Sequence, residues 1–145
     1  MHKILVTEVT HLKVEHSTSI KCYPVQENEE IIKIRANTQT QTYHQSKLEE
    51  SILEIFGIIQ YNPKFDYKTP WGTTAIKRGL AVETFLLDIN LKEEGLDTIK
   101  DPEIEVEIDI ISERFSPSSI TAQIESTFTI YNLCKPSIIK VEGVK

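Results

Sequence analysis

The sequence predicts an α+β fold: six or seven mostly antiparallel strands, arranged as a sheet or sandwich, with one inserted amphipathic helix near residues 46–57. Three observations carry this expectation. First, β-branched residues dominate, with 21 Ile against 10 Leu and 4 Ala, and 14 Thr beside them. Two heavy atoms on Cβ stiffen χ1 and suit a pleated surface better than a helix. Second, long stretches alternate apolar and polar side chains, as antiparallel sheets wet on one face do and doubly covered parallel sheets do not. Third, one segment places its apolar residues at helical spacing behind a capping signal.

In chain order, residues 3–15 read as a strand, with Ile4, Val6, Leu12 and Val14 on one side and Lys3, Thr7, His11 and Lys13 on the other. After a polar break at 16–19, "SIKCYPV" reads as a short strand that Pro24 ends or confines to an edge. "QENEE" is a turn. Residues 31–43 alternate again, with Ile32, Ile34, Ala36, Thr38, Thr40 and Thr42 on a small face. Lys33, Arg35, Asn37, Gln39 and Gln41 form the long polar face.

Ser46 with Glu49 three residues on is a capping-box pattern, and Leu48, Ile52, Ile55, Phe56 and Ile59 follow at helical spacing. Gly57 is a natural terminator. Residues 60–74 hold two prolines, a glycine and the aromatics Tyr61, Phe65, Tyr67 and Trp71, and read as a long ordered loop. Residues 79–91 resume a strand, and 92–102 form a polar connection. Strands then follow over 103–110 and 120–130, joined by Ser-Pro-Ser-Ser at 116–119, with a last short strand at 138–144 after Pro136.

At 145 residues the chain is expected to be a single domain, 1–145. A formal charge of −6 makes phosphate backbones and anionic membranes poor partners, because the long-range field repels them. The opening MHKILVTEV has too short an apolar run for a signal-peptide core. A cytoplasmic or particle-bound location, without secretion by a signal peptide, is therefore expected. Cys22 and Cys134 lie far apart and outside any C-x-x-C pattern, so the reading favours two reduced thiols, with a disulfide as the alternative if their strands are neighbours.

No cofactor, metal or catalytic set is predicted. The histidines at 2, 11, 16 and 44 show no ligand spacing, and the five glycines form no phosphate loop or nucleophile elbow. The candidate site residues are instead interface residues. Tyr61, Phe65, Tyr67 and Trp71 are the kind of aromatics that anchor protein contacts. Glu103, Glu105, Glu107 and Asp109 put four carboxylates on one strand face, where they can guard an edge or meet a basic strip. Lys33 and Arg35 offer such a strip within the chain, at about 0.2–1 kcal/mol a pair, and with Asn37, Gln39 and Gln41 on the same face they complete the candidate interface set.

The function these features predict is a non-enzymatic structural or interaction subunit of a homo-oligomeric or larger assembly. A ring or tube component of a phage-like or contractile particle, or an oligomeric chaperone, would have this character. Its partners would be other copies of itself or another protein, with no membrane and no nucleic acid. One alternative is a small-molecule-binding domain or enzyme with its pocket between the helix and the 60–74 loop. Another is an acidic immunity or antitoxin-type inhibitor.

Overall fold

The structure, a computed structural model, describes residues 2–36 and 38–141, and the side chains of 8–36 and 38–136. Nine strands follow in chain order: β1 (His2–Cys22), β2 (Glu30–Ile34), β3 (Gln39–Glu49), β4 (Ile52–Asn62), β5 (Lys64–Lys68), β6 (Thr74–Arg78), β7 (Ala81–Asn90), β8 (Asp97–Phe115) and β9 (Ile120–Val141). They make three three-stranded sheets, ordered β1-β9-β8, β3-β4-β7 and β2-β5-β6. Every pairing is antiparallel.

The described residues contain no helix, so the expected α+β fold is corrected to all-β. Residues 46–57 instead end β3, turn, and begin β4. The reason lies in a segment that is apolar on both sides. Leu53, Ile55, Ile59 and Tyr61 face the core, while Phe56 and Ile58 are half-buried on the opposite face. Such a run satisfies a helical template as well as a strand period, and its Ile content decides for the strand. Ser46 caps nothing and lies mid-strand opposite Ile55. Glu50, at φ 56°, and Ser51 close the tight turn between Glu49 and Ile52.

Other boundaries differ from the sequence reading as well. The strand expected at 31–43 divides into β2 and β3, which join different sheets. The loop expected at 60–74 is the end of β4, all of β5 and the turn into β6, so its aromatics sit mostly on strands. The two strands expected at 3–15 and 19–25 are continuous as β1, because His16–Ser19 pair with Gln123–Ser126 without interruption. The short strand expected at 138–144 is the end of β9 as far as Val141, and 142–144 lie outside the described residues.

A single core draws on the inner faces of all three sheets: Ile20, Ile124 and Phe128 from the first, Leu53, Ile55 and Phe85 from the second, Ile31 and Phe65 from the third. Phe128 and Phe85 meet across the sheets with ring centroids 5.3 Å apart. Gly57 marks the tightest approach in the second sheet. A Cβ at this position would come within 1.9 Å of the Tyr43 carbonyl oxygen, so only glycine lets β3 lie where it does.

A polar link crosses the core. Glu113 faces inward from β8, opposite Ala122, and its Oε2 accepts hydrogen bonds from the Tyr61 hydroxyl on β4 and from Thr38 Oγ1 at 3.0 Å. Burial first, then the Glu113 hydrogen bond and charge, push the Tyr61 phenol well above its ordinary range. An unfolded tyrosine ionises near pH 10, so the folded chain keeps a proton that the unfolded chain loses. The resulting stability is fully present below about pH 10 and is lost as pH rises beyond it. Tyr61→Phe is therefore expected to cost roughly 1–3 kcal/mol at neutral pH and to flatten the alkaline fall in melting temperature. Thermal melts from neutral to strongly alkaline pH check both effects.

Candidate interaction surfaces

Strand register sorts the surface side chains into faces of distinct chemistry, because residues directly opposite each other share a face. On the outside of β1-β9-β8, Glu103, Glu105, Glu107 and Asp109 stand opposite Tyr131, Thr129, Thr127 and Glu125. Glu15, opposite Thr127, extends the same face, and Lys13 lies among the carboxylates, opposite Thr129. The Tyr131 hydroxyl donates to Glu105 at 3.0 Å. That hydrogen bond, then burial and the charges of Glu105, Glu107 and Glu103, raises the Tyr131 pKa. The acidic strip expected from the sequence is thus a solvent-facing surface.

Its expected partners inside the chain lie elsewhere, which corrects the proposed match with Lys33 and Arg35. The register places Lys33 opposite Asp66, and Arg35 Nε donates to Asp66 Oδ1 at 2.6 Å. Both belong to the outside of β2-β5-β6, where Lys64, Lys68 and Arg78 make the face predominantly basic, with Glu30 and Asp66 as its anions. On the inner side of that sheet Lys77 reaches Glu29 at 2.9 Å and sits over the Tyr67 ring at 4.6 Å. The Gln26 amide, then Lys77, lowers the Glu29 pKa.

The four aromatics of the 60–74 segment separate. Tyr61 and Phe65 are 0 % exposed and belong to the core, so they are not surface anchors. Tyr67 is half-buried beneath Lys77. Trp71 alone of the four stands out, 86 % exposed at the turn between β5 and β6. That turn is well bonded: the Thr69 amide donates to the Thr73 carbonyl at 2.8 Å and the Gly72 amide to the Thr69 carbonyl at 3.0 Å. Gly72, at φ 80°, supplies the left-handed residue the turn needs. The indole is therefore presented on a held tip.

Gln39 and Gln41 lie on the outside of β3, opposite Asn62 and Gln60, while Asn37 lies outside the described residues. The same face carries the surface that the sequence reading missed. Tyr43 stands opposite Ile58, Phe56 opposite Leu86, and Gln60 opposite Val82, so these five apolar residues adjoin on the outside of β3-β4-β7. Tyr43 is 54 % and Leu86 58 % exposed. An open depression of about 590 Å³ runs along Tyr43, His44, Phe56, Gly57 and Ile58. At one end the patch is rimmed by Glu49, Glu50, Glu54 and Asp88, with Lys47 beside Glu49 at 3.5 Å. The signal was present in the segment's second apolar parity, which a helical reading absorbs into one stripe. Among the described residues β3 pairs only with β4, and its other edge has no ladder partner.

Chemistry-bearing groups are dispersed. Cys22 and Cys134 are both buried and unbonded, and burial pushes the Cys22 thiol up. Ser126 stands opposite His16 across the β1–β9 ladder, its buried hydroxyl without a hydrogen-bond partner among the described residues. The His16 ring lies 6.2 Å from that of Phe85, on the core side, and His11 lies 6.0 Å from Tyr131. Among the described residues no three His, Cys, Asp or Glu side chains converge as a metal site, and no helix is long and apolar enough to cross a membrane. Fold and surface together define an all-antiparallel β protein with an acidic face, a basic face and an apolar face. No family model, no curated protein and no solved structure matches the chain.

Proposed function

We propose that this chain is a non-enzymatic structural subunit of an assembly whose other members are proteins, copies of itself first among them. The observation that carries the reading is the apolar patch of Tyr43, Phe56, Ile58, Val82 and Leu86 on the outside of β3-β4-β7. Large contiguous apolar patches rimmed by polar residues mark sites of association, whereas a lone exposed leucine needs no explanation. Aromatic residues at such a centre with charges at its rim follow the anatomy of protein interfaces. The open β3 edge and the long β1–β9 ribbon favour the same reading. Among the described residues that ribbon has two strands from Glu8 to His2, and two-stranded ribbons are marginal in water on their own.

The alternative of a pocket between a helix and the 60–74 loop loses its geometry, since β3 and β4 occupy the segment where the helix was expected. Leu86→Lys tests the assembly reading. The side chain is largely exposed, so the fold is expected to keep its stability within about 0.5 kcal/mol. Association is expected to weaken at least about tenfold, because a desolvated lysine would sit within the contact. Sedimentation velocity of the wild type and variant, each at matched concentrations, reads the difference.

A further inference from the structure

Resting on that reading, we infer that the contact is head-to-tail: the Trp71 tip of one copy seats on the apolar face of β3-β4-β7 of the next. The two surfaces are complementary in kind. One is a single large aromatic, 86 % exposed and held forward by the Thr69–Thr73 turn. The other is an open depression bordered by Tyr43, Phe56 and Ile58, with Leu86 next to it. Tryptophan is the side chain most enriched among residues that dominate interface energies, and it acts by filling such a depression.

The charges agree with this pairing. The strands behind the tip carry Lys64, Lys68 and Arg78 on their outer side, with Lys33 on β2 and Arg35 just beyond it; against the two anions of that face, Glu30 opposite Lys68 and Asp66 bound to Arg35, it is basic on balance. The receiving face is rimmed by Glu49, Glu50, Glu54 and Asp88.

Tip and face are different surfaces of one chain, so every copy that offers its tip still has a free face. Such a heterologous contact repeats until it closes as a ring or extends as a filament. This names the partner as a second copy of this chain and makes Trp71, together with Glu54 and Asp88, the residues that set its orientation.

Two experiments on the full chain test the inference. Trp71 is the only tryptophan, so its emission reports the tip directly. Emission is expected to shift to the blue with rising protein concentration and to return on dilution. Trp71→Ala and Leu86→Lys are then expected each to weaken self-association by at least about tenfold. An equimolar mixture of the two should recover 1:1 dimers that grow no further, because one intact tip and one intact face remain. If Trp71→Ala assembles like the wild type, or the mixture stays monomeric, the head-to-tail contact is wrong while an assembly through the apolar face still stands. If the wild type is monomeric at every concentration and its emission never shifts, both readings fall.

Discussion

Gly57→Ala is expected to destabilise the folded chain by about 3 kcal/mol, and to lower its melting temperature by roughly 10 °C. The added methyl carbon would lie 1.9 Å from the Tyr43 carbonyl oxygen, with the His44 Cα at 2.9 Å, and both are backbone atoms that no rotamer change can move. Relief requires β3 to shift away from β4 along the His44–Gly57 pair, which weakens the ladder and spoils the depression beside Tyr43. Gly57 therefore ties fold to function: the close approach of β3 both completes the second sheet and shapes its outer surface. Thermal and urea unfolding of the variant read the effect, and an unchanged midpoint would contradict the packing described for these two strands.

Phe128→Ala is expected to cost about 3–5 kcal/mol, a large share of the 5–15 kcal/mol typical of a folded domain. Phe128 is 0 % exposed, lies between Val14 and Val106 on the inner face of β1-β9-β8, and meets Phe85 of β7 across the core. Truncation removes the main aromatic contact between the two large sheets and leaves a cavity that flat, laddered strands collapse into poorly. Phe115, nearly half exposed at the end of β8, provides the comparison, and Phe115→Ala is expected to cost no more than about 1 kcal/mol. Equal losses in the two variants, measured by urea unfolding, would show that the core is not centred where the sheets meet.

How much of this was legible depended on how one-sided each strand is. β8 and β9 alternate cleanly, with Val106 and Ile108 inward against Glu105 and Glu107, and Phe128 and Ile130 inward against Thr127 and Thr129, so period two identified them and their solvent faces. β4 packs its inner face into the core and carries an apolar patch on its outer face, and two apolar parities have no single period. The helix error and the missed surface share that cause. Tyr61 shows a related limit: composition marked it as one of four loop aromatics, while only its place at the end of β4 reveals that it is buried against Glu113. The carboxylates of β8 were likewise readable as a strip, but their partnership with Lys33 and Arg35 was not. Opposite charges on distant segments say nothing about which strands adjoin, and β2 adjoins β5, where Asp66 meets Arg35.

Trp71 shows what sequence and structure each supply. Its type marked it as an interface anchor, but a loop reading placed it among three similar aromatics. The fold separates them, burying two, tucking Tyr67 under Lys77 and leaving Trp71 on a bonded turn. Exposure of one tryptophan on a hydrogen-bonded turn, together with an apolar face elsewhere on the same chain, supports the proposed self-association through complementary surfaces.

Sedimentation equilibrium of the full chain over a broad concentration range tests self-association. Masses are expected to rise above the 16.6 kDa of a single chain as concentration increases, and a Leu86→Lys variant is expected to stay near 16.6 kDa under the same conditions. A wild-type chain that remains at 16.6 kDa throughout would rule self-association out.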